Sequence, residues 1–191
     1  MKVLLLNGTF KQDSDIDKIY SLIVDKLKSK GFEVDSVLLR DVTIAACQGC
    51  FDCWVKSPGE CRTADDGREI AKKMVQSNLI IHFTPITFGG YSSQLKKIID
   101  RFIPTILPFF TKRERETHHL YRYQNRASII AIGFLITPDE EEEQTFKELV
   151  YRNSLNMGAP IHEAIIFSKE QNESEFLDKF DTILQKVEIN T

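Results

Sequence analysis

LIIHFTPITFGGYSSQLKKIID, residues 79–100, changes character twice. LIIHF is an unbroken apolar run, short enough for a strand buried on both of its faces. TPITFGGYSS interrupts it, and Pro85 with the Gly89–Gly90 pair fixes an unusual backbone path. A helix is expected from Ser92 to Ile103, with Ser92 or Ser93 as its cap. Strand, glycine-rich loop and helix in that order make one βα unit, and such units build parallel sheets.

The unit recurs along the chain. Lys2–Leu6 is a second unbroken apolar strand. Ile16–Ser29 places Ile16, Ile19, Tyr20, Ile23 and Leu27 at helical spacing and is closed by Gly31. Phe32–Leu39 alternates, as a strand nearer the sheet edge does. Asp65–Val75 reads as a helix, Ser128–Ile136 as a strand, Asp139–Asn156 as a helix. Ile161–Phe167 and Glu173–Val187 supply the last strand and helix. Five βα units with crossover connections predict a doubly wound five-stranded parallel α/β sheet covered by helices on both faces. The expected organisation is a single domain over residues 1–191 with an insertion at about 104–126. That insertion, PTILPFFTKRERETHHLYRYQNR, is apolar in its first half and basic in its second. It reads as a long loop, either a subunit contact or flap, or a lid facing a ligand. Its mixed-sign run from Lys112 to Glu116 reads as a solvated face.

The chain has 191 residues, 42% of them apolar, and a formal charge of −3. That balance carries no nucleic-acid footprint and no polybasic membrane patch. No stretch approaches the roughly 20 apolar residues that span a bilayer. The N-terminal apolar run is too short for a signal peptide, so the expected location is the cytoplasm, where thiols stay reduced.

In open α/β sheets ligands lie beyond the carboxyl ends of the strands, where strand order reverses. Three loops therefore matter. NGTFKQDSDID, residues 7–17, follows the first strand with a glycine and small polar residues before a helix. It can cradle a phosphate, or be a helix start capped by Ser14 or Asp15 with no ligand. It is neither a Walker A loop nor G-x-G-x-x-G. TPITFGGYSS, with Phe88 and Tyr91 read as exposed, suits the edge of an aromatic ring system, or is a turn. TPDEEEE, residues 137–143, is explained by helix initiation, with Thr137 as cap and Pro138 at the first helical position.

All four cysteines fall in one loop, ACQGCFDCWVKSPGEC, spaced C-x2-C-x2-C-x7-C. Closely spaced thiolates of this kind ligate iron–sulfur clusters, whereas zinc prefers two separated C-x2-C knuckles. The alternative is a loop whose cysteines stay reduced or pair with each other. His118 and His119 with Arg122 and Tyr123 could meet an anion or form a flap. His82 reads as a satisfied core histidine.

NGTFK after the first strand, the cysteine loop after the second and TPITFGGYSSQLKKIIDRF after the third resemble the NAD(P)H-dependent FMN reductase / iron–sulfur flavoprotein family. Pro85, Phe88, Gly89, Ser92, Leu95, Lys96, Ile99, Asp100 and Arg101 match that family's pattern in register. The resemblance implies a flavodoxin-like sheet of order 2-1-3-4-5. It implies FMN, with phosphate against Gly8, Thr9, Lys11, Ser14, Asp15 and Ile16, and with the ring against Pro85, Ile86, Thr87, Phe88 and Gly89. It implies NAD(P)H as donor, a small molecule (quinone or flavin) or protein as acceptor, and a homodimer or higher oligomer. No catalytic side chain is required, because the cofactor carries the chemistry. In the cluster-bearing branch, Cys47, Cys50, Cys53 and Cys61 would hold a [4Fe–4S] centre. The chain departs from the family's G-S-P-R-x-x-G-N-T loop: its end is Ser14-Asp15-Ile16, followed by Asp17. Two carboxylates stand where a phosphate should approach. The rival expectations are an electron carrier with FMN and a cluster, and a flavin-free domain acting by protein contact.

Overall fold

The computed structural model describes residues 1–113, 115–168 and 172–189. In chain order the elements are β1 (Lys2–Asn7), α1 (Ser14–Ser29), β2 (Glu33–Leu38), α2 (Asp52–Val55), α3 (Asp66–Gln76), β3 (Leu79–Pro85), α4 (Ser93–Asp100), β4 (Ile106–Arg113), β5 (Glu116–Tyr121), β6 (Ser128–Leu135), α5 (Glu140–Met157), β7 (His162–Ser168) and α6 (Glu173–Ile189). One five-stranded sheet runs in the order β2-β1-β3-β6-β7, and every neighbouring pair in it is parallel. With the β4–β5 pair set aside, this is the expected 2-1-3-4-5 order.

The unbroken apolar strands follow from this placement. Leu5, Ile81 and Ile130 pack on one face of the sheet, against Ile19, Ile23 and Phe180 of α1 and α6. Leu4, Ile80 and Ala131 pack on the other, against Ile70, Leu95 and Phe146 of α3, α4 and α5. Residues that alternate between two buried faces must all be apolar, and each large one contributes roughly 1.5–3 kcal/mol on burial.

The insertion differs from the expected loop. β4 and β5 form an antiparallel hairpin with an irregularity between Ile106 and Phe110. The residues that looked loop-like are aromatic and β-branched (ILPFFT, THHLY), which suit a strand, and of the charge run Lys112 and Arg113 end β4 while Glu116 opens β5. That run is only partly a solvated face; Glu114 lies outside the described residues. The Arg113 guanidinium sits 4.1 Å from the Tyr121 ring centroid and donates to the His119 carbonyl at 2.7 Å. Glu116 accepts two bonds of 2.8 Å from Arg152 on α5.

Helix starts shift by a residue or two from expectation. Asp13 caps α1, its carboxylate accepting from the amides of Asp15 and Ile16, so neither Ser14 nor Asp15 is the cap. Asp139 caps α5, and Thr137 and Pro138 precede it. In both cases a carboxylate further from or nearer to the helix won over the hydroxyl, since both groups cap well. Ser92 caps α4 as expected, and Gly31 follows α1 with φ +78°.

His82 is in the core as expected, yet it is not satisfied: neither ring nitrogen has a hydrogen-bond partner. Its ring lies edge-on to Tyr91, with centroids 5.7 Å apart. Burial pushes its pKa down to about 4. Folding therefore releases a proton that the unfolded ring, near 6.5, would hold. Stability from this source is complete above about pH 6.5 and falls as pH drops towards 4, by on the order of 3 kcal/mol. Urea denaturation against pH should show this loss in the wild type and its absence in His82→Leu.

Candidate functional site

β1 and β3 are neighbours, and the loops leaving their carboxyl ends are tied together. The Gly8 amide donates to the Phe83 carbonyl at 2.7 Å. The Ser92 hydroxyl donates to the Gly8 carbonyl at 2.6 Å and accepts from the Leu95 amide at 3.2 Å. A Cβ on Gly8 would fall 2.7 Å from Ser92 Oγ and 2.8 Å from Leu95 Cβ. Glycine is needed there so that the first loop can lie on the start of α4.

Between these loops opens a cleft of about 270 Å³, near the lower end of ligand pockets (roughly 300–1,000 Å³). Thr9, Phe10 and Lys11 with the start of α1 form one wall, and Pro85 and Ile86 the other. Phe134, Leu135, Ile136 and Phe167, from the ends of β6 and β7, complete a mostly apolar lining. Of the expected residues, Thr9, Lys11, Asp15, Ile16, Pro85 and Ile86 border the cleft. Gly8 lies behind it. Ser14 opens α1, and its side chain lies outside the described set.

Thr87, Phe88 and Gly89 do not border the cleft. Thr87 and Gly90 bond to each other through both amides, so Phe88 and Gly89 form the tip of a tight turn with φ +50° and +71°. Phe88 is 91% exposed there. Tyr91, expected to be exposed, is buried, and that burial pushes its phenol up to about 12. Sequence reading missed Phe10, Asp13 and the four residues from β6 and β7. Their only local signal is an apolar Ile136 continuing past a strand into TPDEEEE.

The two ends of the cleft differ. Its apolar walls fit a flat ring system. At its polar end several of the amides already donate within the chain. Thr9 N–H donates to Asn7 Oδ1 at 2.9 Å. The Asp15 and Ile16 amides donate to Asp13 Oδ1 at 3.1 and 3.3 Å.

The cysteine loop lies elsewhere. All four cysteines are free thiols: Cys47 and Cys50 exposed, Cys53 buried in α2, Cys61 between. They border one cavity of about 20 Å³, room for roughly one water. Among the described residues no three His, Cys, Asp or Glu side chains are grouped to hold a metal ion. As folded, the loop does not fit a cuboidal cluster.

What the loop does is join elements. Arg101, 2% exposed, makes paired 2.8 Å bonds to both Asp65 oxygens and donates to the carbonyls of Ala45 and Thr63. Burial alone would raise Asp65, but the Arg101 guanidinium together with the Ala45 and Gly67 amides outweighs it and holds the carboxyl below its usual range. Trp54 Nε1 donates to the carbonyls of Ile103 and Ile106, at 3.1 and 3.0 Å. Its ring stacks on Phe51 and meets His119, both with centroids 5.0 Å away. His118 bonds Asn156 and Glu116, and His119 bonds the Leu107 carbonyl. Both ring nitrogens of His118 and one of His119 thus bond within the hairpin or to α5.

Parallel order, the crevice at the β1/β3 switch and an apolar ring-sized cleft define a flavodoxin-like protein. Residues 1–120 match the family model NADPH-dependent FMN reductase, and the chain belongs to that family of oxidoreductases. An iron–sulfur flavoprotein of Methanocaldococcus jannaschii is 33% identical over 109 residues, 57% of this chain and 55% of that protein. One from Methanosarcina thermophila is 31% identical over 103 residues, 54% of this chain and 53% of that protein. The chain thus spans about half the length of these curated relatives. Among solved structures, an NAD(P)H:quinone oxidoreductase from Methanothermobacter marburgensis aligns with TM-score 0.68 at 13% identity, over 98% of this chain and 95% of that one. An FMN-dependent NADH-azoreductase from Bacillus anthracis, in complex with FMN, aligns with TM-score 0.60 at 15% identity, over 98% and 97%. At such identities the likeness is one of fold. Among the described residues no helix is long and apolar enough to cross a membrane.

Two tests follow from the loop. Burial raises the Cys53 thiol, with the neighbouring Cys61 adding to the shift, so alkylation at neutral pH should label Cys47 and Cys50 well before Cys53. Arg101→Met strands a buried carboxylate and should cost about 3–5 kcal/mol by chemical denaturation.

Proposed function

We propose that this chain is a flavin-dependent oxidoreductase that takes electrons from NAD(P)H and delivers them to a quinone, a free flavin or a protein acceptor. The observation that carries the reading is the apolar cleft where strand order reverses, between the first and third βα loops. FMN, the flavin of the family, supplies hydride acceptance and onward electron transfer when bound. The residues of the chain would bind and orient the ring: Pro85 and Ile86 from one side, Phe134 and Ile136 from the other. Lys11 would face the tail. The cleft needs no acid or base for that work. Exposed Phe109, Phe110 and Leu120 on the hairpin support a homodimer, which light scattering would check.

The experiment is an absorption titration of the purified protein with flavin, followed by NAD(P)H oxidation with a quinone acceptor. Saturable perturbation of the flavin band and acceptor-dependent turnover are expected. Ile136 is 86% exposed, so Ile136→Glu should fold normally yet weaken flavin binding about tenfold, or about 1.4 kcal/mol. A protein that ignores flavin at saturating dose leaves the flavin-free reading.

A second reading adds a [4Fe–4S] centre on Cys47, Cys50, Cys53 and Cys61 and makes the protein an electron carrier. It is favoured by the four thiols bordering one cavity and by the names of the relatives. It requires the loop to open, because that cavity is too small. Iron and sulfide in stoichiometric amounts in anaerobically purified protein would support it, and their absence would remove it.

A further inference from the structure

We propose that Arg40 fits the cleft to a phosphorylated flavin: it braces the first loop through Thr9 and supplies there the positive charge that makes FMN bind more tightly than riboflavin. This rests on the flavin reading above and deepens it by naming the side chain that sets which form of flavin the site takes.

Arg40 arrives from the neighbouring strand. β1 and β2 are parallel with Asn7 opposite Leu38, so Thr9 and Arg40 each stand two residues beyond that pair. Arg40 Nη1 donates to Thr9 Oγ1 at 2.6 Å, and Thr9 Oγ1 donates onward to Asn7 Oδ1 at 2.7 Å. The Thr9 amide donates to the same Asn7 oxygen at 2.9 Å. Asn7 and Thr9 are buried and Arg40 is half-buried. The chain is thus fixed inward at Thr9, and the residues that follow, Phe10, Lys11 and Gln12, are exposed. Among the described residues nothing accepts from the backbone amides of these three. Successive unspent amides ahead of a helix start are what an oxyanion takes up.

Charge decides what that loop can hold. Asp13 caps α1, Asp15 and Asp17 lie in its first turn, and Lys11 is the loop's own cation. Lys18, the next cation along, is paired with Glu173 at 2.6 Å. Arg40 pairs with no carboxylate among the described residues, so its charge is not neutralised locally. Its field reaches α1: burial raises the Tyr20 phenol, and the Ser36 bond and the Arg40 cation oppose that rise. A charge in half-buried surroundings acts on its neighbours more strongly than one in open water. Without Arg40, a phosphate dianion would meet Lys11 alone against three carboxylates. A neutral ribityl end feels that change little, so the loss falls on the phosphate.

The test is a pair of equilibrium titrations, FMN and riboflavin in one buffer, read by flavin fluorescence. They are run on the wild type, Arg40→Gln and Arg40→Lys, and riboflavin affinity in each variant reports whether the cleft survives. The wild type should bind FMN about tenfold more tightly than riboflavin. Arg40→Gln should lose that preference while its riboflavin affinity stays within about twofold, and Arg40→Lys, which keeps the charge, should retain most of it. In the wild type the preference should also shrink as salt rises, a reading that needs no variant. Equal loss of both flavins in Arg40→Gln would reduce Arg40 to a brace and overturns the proposal. So does a preference that survives Arg40→Gln, or a wild type with none; each of these leaves the flavin reading standing. If neither flavin binds the wild type, the flavin reading itself fails, and this inference with it.

Discussion

The site depends on the contact between Gly8 and the start of α4. Parallel pairing sets Asn7 opposite Phe83, so the first and third βα loops emerge side by side. Gly8 then spends its amide on β3 and its carbonyl on Ser92, with no room for a side chain. Ser92 serves both ends of this link, since the hydroxyl that bonds Gly8 also caps α4. The cleft is the space left on the outer side of this tie, which is why it has a fixed width and a fixed position in the sheet.

The walls and the tail end of that cleft are built on different principles. The ends of β3, β6 and β7 supply apolar side chains already anchored in the core, which provides rigid, dry surface for a ring. The start of α1 closes on itself through Asp13 and Asp17. The cysteine loop belongs to neither end. Arg101, Asp65 and Trp54 make it a joint between α4, α3 and the hairpin.

The fold was legible because burial on two faces forces a composition: LLL in β1 and LII in β3 have no other economical reading. Strand order and the place of the crevice followed from the same pattern and the family resemblance. The hairpin was not legible, since its strands lie on the surface and carry mixed charge, so period-two alternation is lost. Half of the cleft was legible from loops after strands. Phe134, Ile136 and Phe167 were not, because strand ends that bury a ligand look the same in sequence as strand ends that bury a core. His82 was read correctly for place and wrongly for bonding, as an apolar run shows that a residue is buried and not what its polar atoms meet. Asp13 escaped because three acidic or hydroxylic residues in a row compete for one capping position, and backbone geometry chooses.

The most direct test of the account is a crystal structure of the protein grown with flavin. The account predicts the isoalloxazine between Pro85–Ile86 and Phe134–Ile136, with the ribityl chain running towards Asp13 and Lys11. A ring found instead in the larger groove of about 390 Å³ bordered by Arg68, Lys72 and Tyr123, beside the cysteine loop, would contradict it.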